Sequence, residues 1–564
     1  MKSKLKKIVI DPVTRIEGHL RIEVEVDENN IVKEAWASGQ LFRGIETILK
    51  DRDPRDTGLI AQRICGVCTN SHYRASIAAT ENAYNISIPK NARVVRDLIS
   101  LSLFIQDHII HYYHLHSLDF VDVASAISAN EEKAIEEAFN YRENPYKNSI
   151  SHVSHVKQKL NNFVKAGRMG LFANGFWGHN GYKFTPEQNL IHMSHYLEAL
   201  EIQREIAKAV AIFGGKNPHP QYLTVGGITS VADILNPQRI NDFIFILKNA
   251  HDFIKRAYIP DMKMLVKAYK DDIKEQKGRG LSNFMSVGGY SFANDISLFE
   301  SGVIKDFDLE NIEEFHIDKV TEEACRAWYE TDEKVNPYDG ETKPFYTDLN
   351  EDGTLKTDGK YSWIKAPRYE GVAMEVGPLS RMLVGYGKNS KVIKPYMDEF
   401  MDETNMKILD FASAIGRNAA RAIESLICCE FIFDFANDLV ENLKYYDEDT
   451  WTKYNFEELP KDAKGYGLFE VPRGVLTHFV NIKNKKVFNY QAVVPTTWNA
   501  SSKDEFGNRG SYEEALLGLK IEDTSKPLEV LRVVHSFDPC IACAVHIIDT
   551  NKKDLGKFKV GKIY

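Results

Sequence analysis

The chain has 564 residues, of which 43% are hydrophobic and 27% charged, and this composition is ordinary for a globular protein with more than one domain-sized core. Its formal net charge is -9 and it contains no run of five basic residues, so nucleic acid is not expected as a partner. Seven cysteines are too few to hold so long a chain together by disulfides, and each is first interpreted as a thiol.

The lysine-rich N-terminus resembles the start of a signal peptide, but only the short apolar stretch 8–10 follows it. We therefore expect no signal peptide. No segment reaches the roughly 18 apolar residues that a membrane-spanning helix needs. The most apolar segment, residues 423–435, is interrupted by Glu424, Glu430 and Asp434. If the protein works at a membrane, another subunit must carry it there.

Hydrophobic periodicity predicts the secondary structure. Apolar and polar residues alternate over residues 20–26, which predicts a half-buried strand, and the polar residues 27–30 predict a turn into a second strand at 31–37. Long helices are predicted at about residues 92–120, 188–213, 238–269 and 406–445. The expected fold class is α+β, a helix-rich multi-helical bundle with an N-terminal β-hairpin and small sheets.

We expect one large body, residues 1–546, followed by a tail, residues 547–564. The parts of the body are the hairpin and first cysteine pair in residues 1–75, the helical bundle in residues 90–450 and the second cysteine pair in residues 465–546. Residues 334–364 are polar and rich in Gly, Asp and Pro, which predicts a surface excursion.

Four cysteines form two CxxC pairs, Cys65 with Cys68 and Cys540 with Cys543. Each pair places two thiols on one tight turn, and two such pairs can supply four thiolates to one site. Spacing alone favours a structural zinc or a rubredoxin-like iron. However, almost the whole chain separates the pairs, and soft thiolates also suit nickel, iron and copper. The spacing therefore leaves the metal open.

The other cysteines, Cys325, Cys428 and Cys429, lie in sequence with helical periodicity. They are expected as small, buried, apolar side chains. A histidine follows each CxxC pair, His72 and His546, although a single histidine is most often a hydrogen-bonded polar group.

The segments around the cysteines resemble the two signature motifs of nickel-iron hydrogenase large subunits, of the membrane-associated, quinone-reactive uptake type. They read QRICGVCTNSH at residues 62–72 and RVVHSFDPCIACAVH at residues 532–546. Further segments extend the resemblance over nearly the whole chain: DPVTRIEGH at 11–19, RGIE at 43–46, EVPRG at 470–474 and VPTTWN at 494–499.

This resemblance implies a set of metal ligands. Cys65 and Cys540 would bind nickel terminally, while Cys68 and Cys543 would bridge nickel to an iron that carries carbon monoxide and cyanide. A magnesium ion nearby would be bound by the Glu46 carboxylate, the His546 imidazole and the backbone carbonyl of Ala492.

The resemblance also implies roles in catalysis. Cys540 would take a proton from dihydrogen and Glu17 would relay it, because burial raises the pKa of a carboxyl toward neutrality. Arg473 would lie over the metals, held by Asp107 and Asp538; alternatively, Arg473 is itself the base, and the sequence does not choose between the two.

Three residues around the metals complete the implied site. Thr496, together with Arg473, would donate hydrogen bonds to cyanide, Pro472 would shape the space above the metals, and His72 would donate to a bridging sulfur.

Electrons must leave through a partner, because this chain lacks further cysteines for an iron-sulfur wire. The family implies an iron-sulfur small subunit, in a heterodimer, and a cytochrome b membrane subunit that reduces quinone. His219 matches a family segment near that interface, although a structural proline-rich turn is an equal alternative. The expected location is the periplasmic side of the cytoplasmic membrane, after co-export with the small subunit. A maturation protease would remove residues 547–564 by cutting after His546.

Other functions stay open at this point: a dihydrogen-sensing regulatory hydrogenase, a non-catalytic relative of the same fold from complex I, and a subunit with a purely structural zinc. Residues beyond His546 disfavour the sensor, since sensor-type relatives commonly end near that histidine. The presence of all four cysteines disfavours the complex I relative.

Overall fold

The computed structural model describes residues 5–141, 149–167, 172, 175–292, 296–445 and 447–544, with the side chains of residues 543 and 544 excepted. Long helices dominate this part of the chain: α3 (Thr69–Tyr84), α4 (Lys90–Ile110), α7 (Ile150–Lys165), α8 (Pro186–Gly214), α10 (Pro237–Phe253), α11 (Ile259–Ala268), α13 (Pro378–Gly387), α14 (Ile393–Thr404) and α15 (Ala414–Lys444). Shorter helices complete the set: α1 (Ile45–Ile48), α2 (Thr57–Ala61), α5 (Val123–Ala126), α6 (Glu131–Phe139), α9 (Val231–Ile234), α12 (Lys270–Lys274), α16 (Pro495–Asn499), α17 (Ser511–Leu516), α18 (Leu528–Ser536) and α19 (Ile541–Ala544).

The strands form small antiparallel sheets. They are β1 (Lys6–Ile10), β2 (Leu20–Val26), β3 (Val32–Gly39), β4 (Leu223–Thr224), β5 (Gly227–Ile228), β6 (Phe284–Phe292), β7 (Ile296–Ile304), β8 (Val320–Glu323), β9 (Ala366–Tyr369), β10 (Ala463–Val471), β11 (Gly474–Lys483) and β12 (Lys486–Val493). The sheets β1-β2-β3 and β10-β11-β12 have three strands each, and the remaining strands of the described residues pair as β4-β5, β6-β7 and β8-β9.

Helix α4 lies at the centre of the helical core. It packs against α8 on one side and α15 on the other, and almost every one of its side chains is buried. Apolar residues of both neighbouring helices belong to the same cluster. A helix that is buried on nearly all sides must enclose its few polar groups as well, and these then require partners inside the protein.

The sheet β10-β11-β12 packs on α3 through glycines. A Cβ atom at Gly465 would lie 2.4 Å from the Ala79 carbonyl oxygen, and one at Gly467 would lie 2.0 Å from the Ala75 carbonyl oxygen. Because no other residue fits such close contacts, these glycines let β10 run directly along α3. The packing places the turn between β10 and β11 beside the beginning of α3.

The predicted fold class is confirmed, and the four predicted long helices are present. Two of them continue beyond the α-helix through π-helical turns, His111–His116 after α4 and Ile254–Tyr258 after α10. The N-terminal hairpin is joined by a third strand, since β1 pairs with β2. Strand β1 was not predicted because its five residues are too few to show a clear alternation. None of the described helices combines the length and apolar character needed to cross a bilayer.

Two parts of the chain depart from their expected surroundings. Cys428 and Cys429 are buried in α15 as predicted, but the helical position predicted for Cys325 is wrong, because it lies half-buried in a turn after β8. Within residues 334–364, the side chains of Leu355 and Tyr361 pack with Trp36. The division of the body into three parts stays a prediction.

Candidate metal centre

The first cysteine pair lies where a tight turn enters α3. Cys65 follows a short 3-10 turn, Gln62–Ile64, in extended conformation, and Cys68 is the residue that caps the N-terminus of α3. The backbone N–H groups of Val67 and Cys68 donate to the Cys65 sulfur at 3.2 and 3.3 Å. These hydrogen bonds stabilise a thiolate and fix the direction of its lone pairs.

The second pair is brought to the first by the N-terminal segment. The Glu17 N–H donates to the Pro539 carbonyl at 3.3 Å, and the Ile541 N–H donates to the Glu17 carbonyl at 2.8 Å. A Cβ atom at residue 18 would lie 2.5 Å from the Ala542 nitrogen, so only glycine allows this approach. Glu17 and Cys540 are therefore neighbours through paired backbone, although they lie at opposite ends of the chain.

The described thiols converge on one point. The Cys540 sulfur lies 3.4 Å from that of Cys65 and 3.8 Å from that of Cys68, and all three residues are buried. These separations are too long for a disulfide. Two sulfurs bound to one metal ion at about 2.3 Å would lie about 3.8 Å apart in tetrahedral geometry. The donor set therefore fits a metal centre, although the predicted ligands Cys543, by its side chain, and His546 lie outside the described residues.

Glu17 is half-buried beside the Cys540 thiol. Its Oε2 atom accepts hydrogen bonds from the Cys540 sulfur at 3.3 Å and from the Ala542 N–H at 3.0 Å. Burial, together with the nearby Cys65 thiolate, raises the pKa of Glu17 to about 7. A carboxyl group with this pKa can both accept and release a proton at neutral pH.

Arg473 is buried and held from two sides. Its Nη1 donates to Asp107 and its Nη2 to Asp538, both at 3.0 Å, while its Nε donates to the Asp538 carbonyl at 3.2 Å. Three of the five N–H groups of a guanidinium are used in this way. Two acidic side chains therefore accompany the buried cation.

A small cavity of about 10 Å³ lies between these groups. It is lined by Cys68, Ser71, His72, Val471, Pro472, Arg473, Leu476, Pro495, Thr496 and Cys540. Six predicted residues therefore share one small space. Thr496 also positions the predicted metal ligand Cys540, because its hydroxyl oxygen accepts the Cys540 N–H at 3.2 Å. The O–H of Thr496 can still donate a hydrogen bond of its own.

His72 has a neighbour that was not predicted. Its Nδ1 lies 3.0 Å from Nε2 of His478, and Nδ1 of His478 lies 2.5 Å from the Tyr490 hydroxyl. Burial lowers the pKa of His72 to about 4, so the ring is neutral at pH 7. The histidine pair fixes the orientation of the His72 ring beside the cysteines.

The residues predicted to bind magnesium also lie together where the structure describes them. One oxygen of the buried Glu46 accepts the Ala492 N–H at 3.0 Å, and the other accepts the Thr342 hydroxyl. Lys365 lies 4.0 Å from Glu46 and 3.6 Å from the buried Glu322. Thr342 belongs to the predicted surface excursion, so that segment reaches this buried site.

Known proteins resemble this chain in both sequence and fold. The family description "Nickel-dependent hydrogenase" matches residues 43–546, which is most of the chain. The chain belongs to the nickel-dependent hydrogenases. It is 46% identical to the "Quinone-reactive Ni/Fe-hydrogenase large chain" of Wolinella succinogenes, with 99% of both chains covered. It is 42% identical to the "Uptake hydrogenase large subunit" of Bradyrhizobium diazoefficiens, with 98% of this chain and 97% of that one covered.

The fold agrees with solved hydrogenases. The Ni-Fe-Se hydrogenase of Desulfovibrio vulgaris Hildenborough in the as-isolated oxidized state superimposes with a TM-score of 0.79 at 32% identity, covering 96% of this chain and 100% of that chain. This hydrogenase chain is thus the large, catalytic subunit of an oxidoreductase that acts on dihydrogen. Membership of this family favours a catalytic hydrogenase subunit over the structural-zinc, sensor and complex I alternatives.

A second group of potential metal ligands exists among the described residues of this hydrogenase. Ligand atoms of His179, Glu522 and Glu529 lie within 4.8 Å of one another. However, Nδ1 of His179 accepts the Gly181 N–H at 2.9 Å, so the proton of the neutral ring is on Nε2. A protonated nitrogen cannot bind a metal, and we interpret the group as a polar cluster.

Sequence reasoning missed the residues of this hydrogenase that lie behind Arg473. They are Arg381 on α13, Glu424 on α15 and His108 at the end of α4, all fully buried. One signal was present, since Glu424 interrupts an apolar helical segment and a charge in such a place indicates a buried partner. Nothing in the sequence showed which residue that partner is.

Proposed function

We propose that this subunit oxidises dihydrogen at a nickel-iron centre held by Cys65, Cys68, Cys540 and Cys543. The observation that carries the proposal is the convergence of three buried thiols at a cavity that Arg473 also lines, with Glu17 in contact with one of the thiols. When bound, the nickel-iron group supplies the site at which dihydrogen is split and through which its two electrons leave.

Within this centre, Cys65 and Cys540 would hold the nickel, and Cys68 and Cys543 would hold the nickel and the iron together. The iron would also carry carbon monoxide and cyanide, for which Thr496 and Arg473 are the donors that line the cavity. His72 is a neutral hydrogen-bonding neighbour, and Pro472 gives the cavity an apolar wall.

Oxidation of dihydrogen releases two protons along with the two electrons, and the protons leave one after the other through protein groups. The Cys540 sulfur takes each proton in turn and passes it to the Glu17 carboxylate, 3.3 Å away, which needs no intervening water. Arg473 contributes a fixed positive charge over the reacting atoms, because Asp107 and Asp538 hold its guanidinium in place.

The Glu46 region is the proposed magnesium site. A hard cation prefers oxygen ligands, and the Glu46 carboxylate lies against the backbone of Ala492, whose carbonyl is the second proposed ligand. His546 is the third. Lys365 lies between the buried carboxylates of Glu46 and Glu322. One lysine cannot neutralise two carboxylates, so negative charge remains for a cation to neutralise.

Partners follow from the relatives. A protein named a large chain works with a smaller one, so we propose an iron-sulfur small subunit beside this chain and, because one relative is named quinone-reactive, a cytochrome b that passes electrons to quinone. This assembly would lie on the periplasmic side of the cytoplasmic membrane. Removal of residues 547–564 by a maturation protease stays a prediction, since these residues lie outside the described part of the chain.

The metal content of the assembled enzyme tests the proposal. We expect about one nickel and one iron per chain, and infrared bands from carbon monoxide and cyanide. Cys540→Ala should lose nickel and activity together, because removing one thiolate opens the site. Cys325→Ala is the matched control and should keep both, since its thiol donates to the Lys503 carbonyl and is not among the residues that line the cavity. An active enzyme that holds only zinc, or a nickel-loaded, active Cys540→Ala variant, would contradict the assignment.

A further inference from the structure

Arg381 lies fully buried behind the turn that carries Arg473. Each of its five N–H groups donates a hydrogen bond to an acceptor in the described part of the protein. Its Nη1 donates to Glu470 at 2.5 Å and its Nε and Nη2 donate to Glu424 at 2.7 and 2.6 Å. The two remaining N–H groups donate to the carbonyl oxygens of Val471 and Pro472, both at 3.0 Å. A guanidinium with five satisfied donors in a planar fork has one possible orientation.

The two carbonyls belong to the residues immediately before Arg473. Val471 pairs with Gly474 across the β10-β11 hairpin, so Pro472 and Arg473 form a two-residue turn. Arg381 therefore holds the first half of this turn, and the position of the Arg473 backbone depends on the position of Arg381.

Glu424 connects the same ion pair to the partner of Arg473. Its Oε1, which accepts from Arg381, also accepts from Nε2 of His108 at 2.8 Å. His108 directly follows Asp107, whose carboxylate binds the Arg473 guanidinium. All of these side chains are buried, with Arg381, Glu424 and His108 at 0% exposure, so water cannot replace any of the contacts.

We propose that Glu424 is a positioning residue for Arg473. It fixes the guanidinium from two directions at once, through Arg381 and the hairpin turn, and through His108 and the helix end that carries Asp107. This inference rests on the proposed role of Arg473 over the metals, which Glu424 itself does not touch. A preorganised charge loses much of its effect when it is displaced by a fraction of an ångström.

The first experiment compares Glu424→Gln with Glu430→Gln in the assembled enzyme. Glutamine has the same shape but cannot accept from Arg381 and His108 as a carboxylate does, while Glu470 remains as the counter-charge that keeps Arg381 tolerable. We expect turnover per bound nickel to fall about 10-fold or more, with nickel content unchanged. Glu430 lies on the same helix and contacts His251 and Lys255 at its outer side, so Glu430→Gln should stay within about twofold of wild type.

A double-mutant cycle with Arg473→Lys separates positioning from a general structural effect. If Glu424 acts through Arg473, then Glu424→Gln should cost less than about twofold once Arg473 is already lysine. An equal loss in both backgrounds, or normal turnover of Glu424→Gln, would overturn the inference. If Glu424→Gln does not assemble with nickel, Arg381→Lys decides by the same criteria, since lysine keeps the charge but cannot reach both carbonyls and Glu424 together.

The same cycle distinguishes this inference from the proposed function. Arg473→Lys with normal turnover would remove the proposed role of Arg473 and, with it, the reason to position it. Arg473→Lys with reduced turnover and an additive effect of Glu424→Gln would leave the role of Arg473 standing and reject only the role of Glu424.

Discussion

Buried carboxyl groups have different bonding partners in the helical core and at the junction of the two chain ends. In the core, Glu424 contacts Arg381 and Asp119 contacts Arg15. At the junction, Glu17 and Glu513 accept hydrogen bonds from backbone N–H groups and from a thiol or a phenol instead. The comparison separates two uses of a buried acid.

Burial acts in the same direction at all four residues, since it raises the pKa of every carboxyl. For Glu424 and Asp119 the neighbouring charges outweigh it, chiefly Arg381 and Arg15, and the pKa is lowered. For Glu17 and Glu513 burial prevails and raises the pKa to about 7. The core acids are therefore fixed charges that hold structure, whereas the junction acids can change protonation near neutral pH.

The largest expected effect is at Glu17. Glu17→Gln keeps the size of the side chain but cannot carry a proton, so we expect dihydrogen oxidation to fall about 100-fold or more with nickel and iron retained. Turnover and metal content are measured on the same preparation. Glu25→Gln, on the neighbouring strand β2, is the control and should be near wild type. Near-normal turnover of Glu17→Gln would move the proton path elsewhere, with Arg473 as the next candidate.

Replacing Asp119 is expected to lower the free energy of unfolding. Asp119→Asn leaves the half-buried Arg15 and the ring of His535, which lies 2.6 Å from Asp119, without their anion, and we expect a destabilisation of about 3–5 kcal/mol. Because the folded-state pKa is lowered from 3.8, this stabilisation is present above pH about 4 and is lost as the pH falls below it. Calorimetric unfolding temperatures should therefore converge for variant and wild type in acid. The exposed Asp402→Asn is the control, and an unchanged unfolding temperature of Asp119→Asn at pH 7 would contradict the fixed-charge interpretation.

The smallest effect is expected at Glu513, and it has the opposite sign. Its pKa is raised from 4.5 to about 7, so the stability of the wild type is full below pH 4.5 and falls as the pH rises through 7. Glu513→Gln removes this loss and should stabilise the protein by up to about 3 kcal/mol at pH 8, with little change at pH 4.5. Unfolding temperatures at the two pH values give the answer, with the neighbouring Glu514→Gln as control. An equal shift at both pH values would show that the Glu513 carboxyl is not the titrating group.

Much of the site could be predicted because its signals are local. The CxxC spacing identified both cysteine turns, and the resemblance of the flanking motifs to those of nickel-iron hydrogenases implied Glu17, Arg473 and Thr496. In the structure Arg473 and Thr496 line the cavity, and Glu17 contacts Cys540, which lines it too. Helical periodicity likewise predicted the long helices of the core. Periodicity and spacing are properties of neighbouring residues, so the sequence carries them directly.

The sequence by itself determined the thiols, the long helices and the chemistry that they suit. Only the tertiary structure decided which acids are fixed and which can titrate, because that depends on the balance between burial and the charged groups that distant segments bring to each acid. Glu424 meets Arg381 across two helices, and Glu513 meets the Tyr361 hydroxyl and the Ala37 N–H. No period links such residues, and the free energy of a buried charge is set by its nearest partners in space.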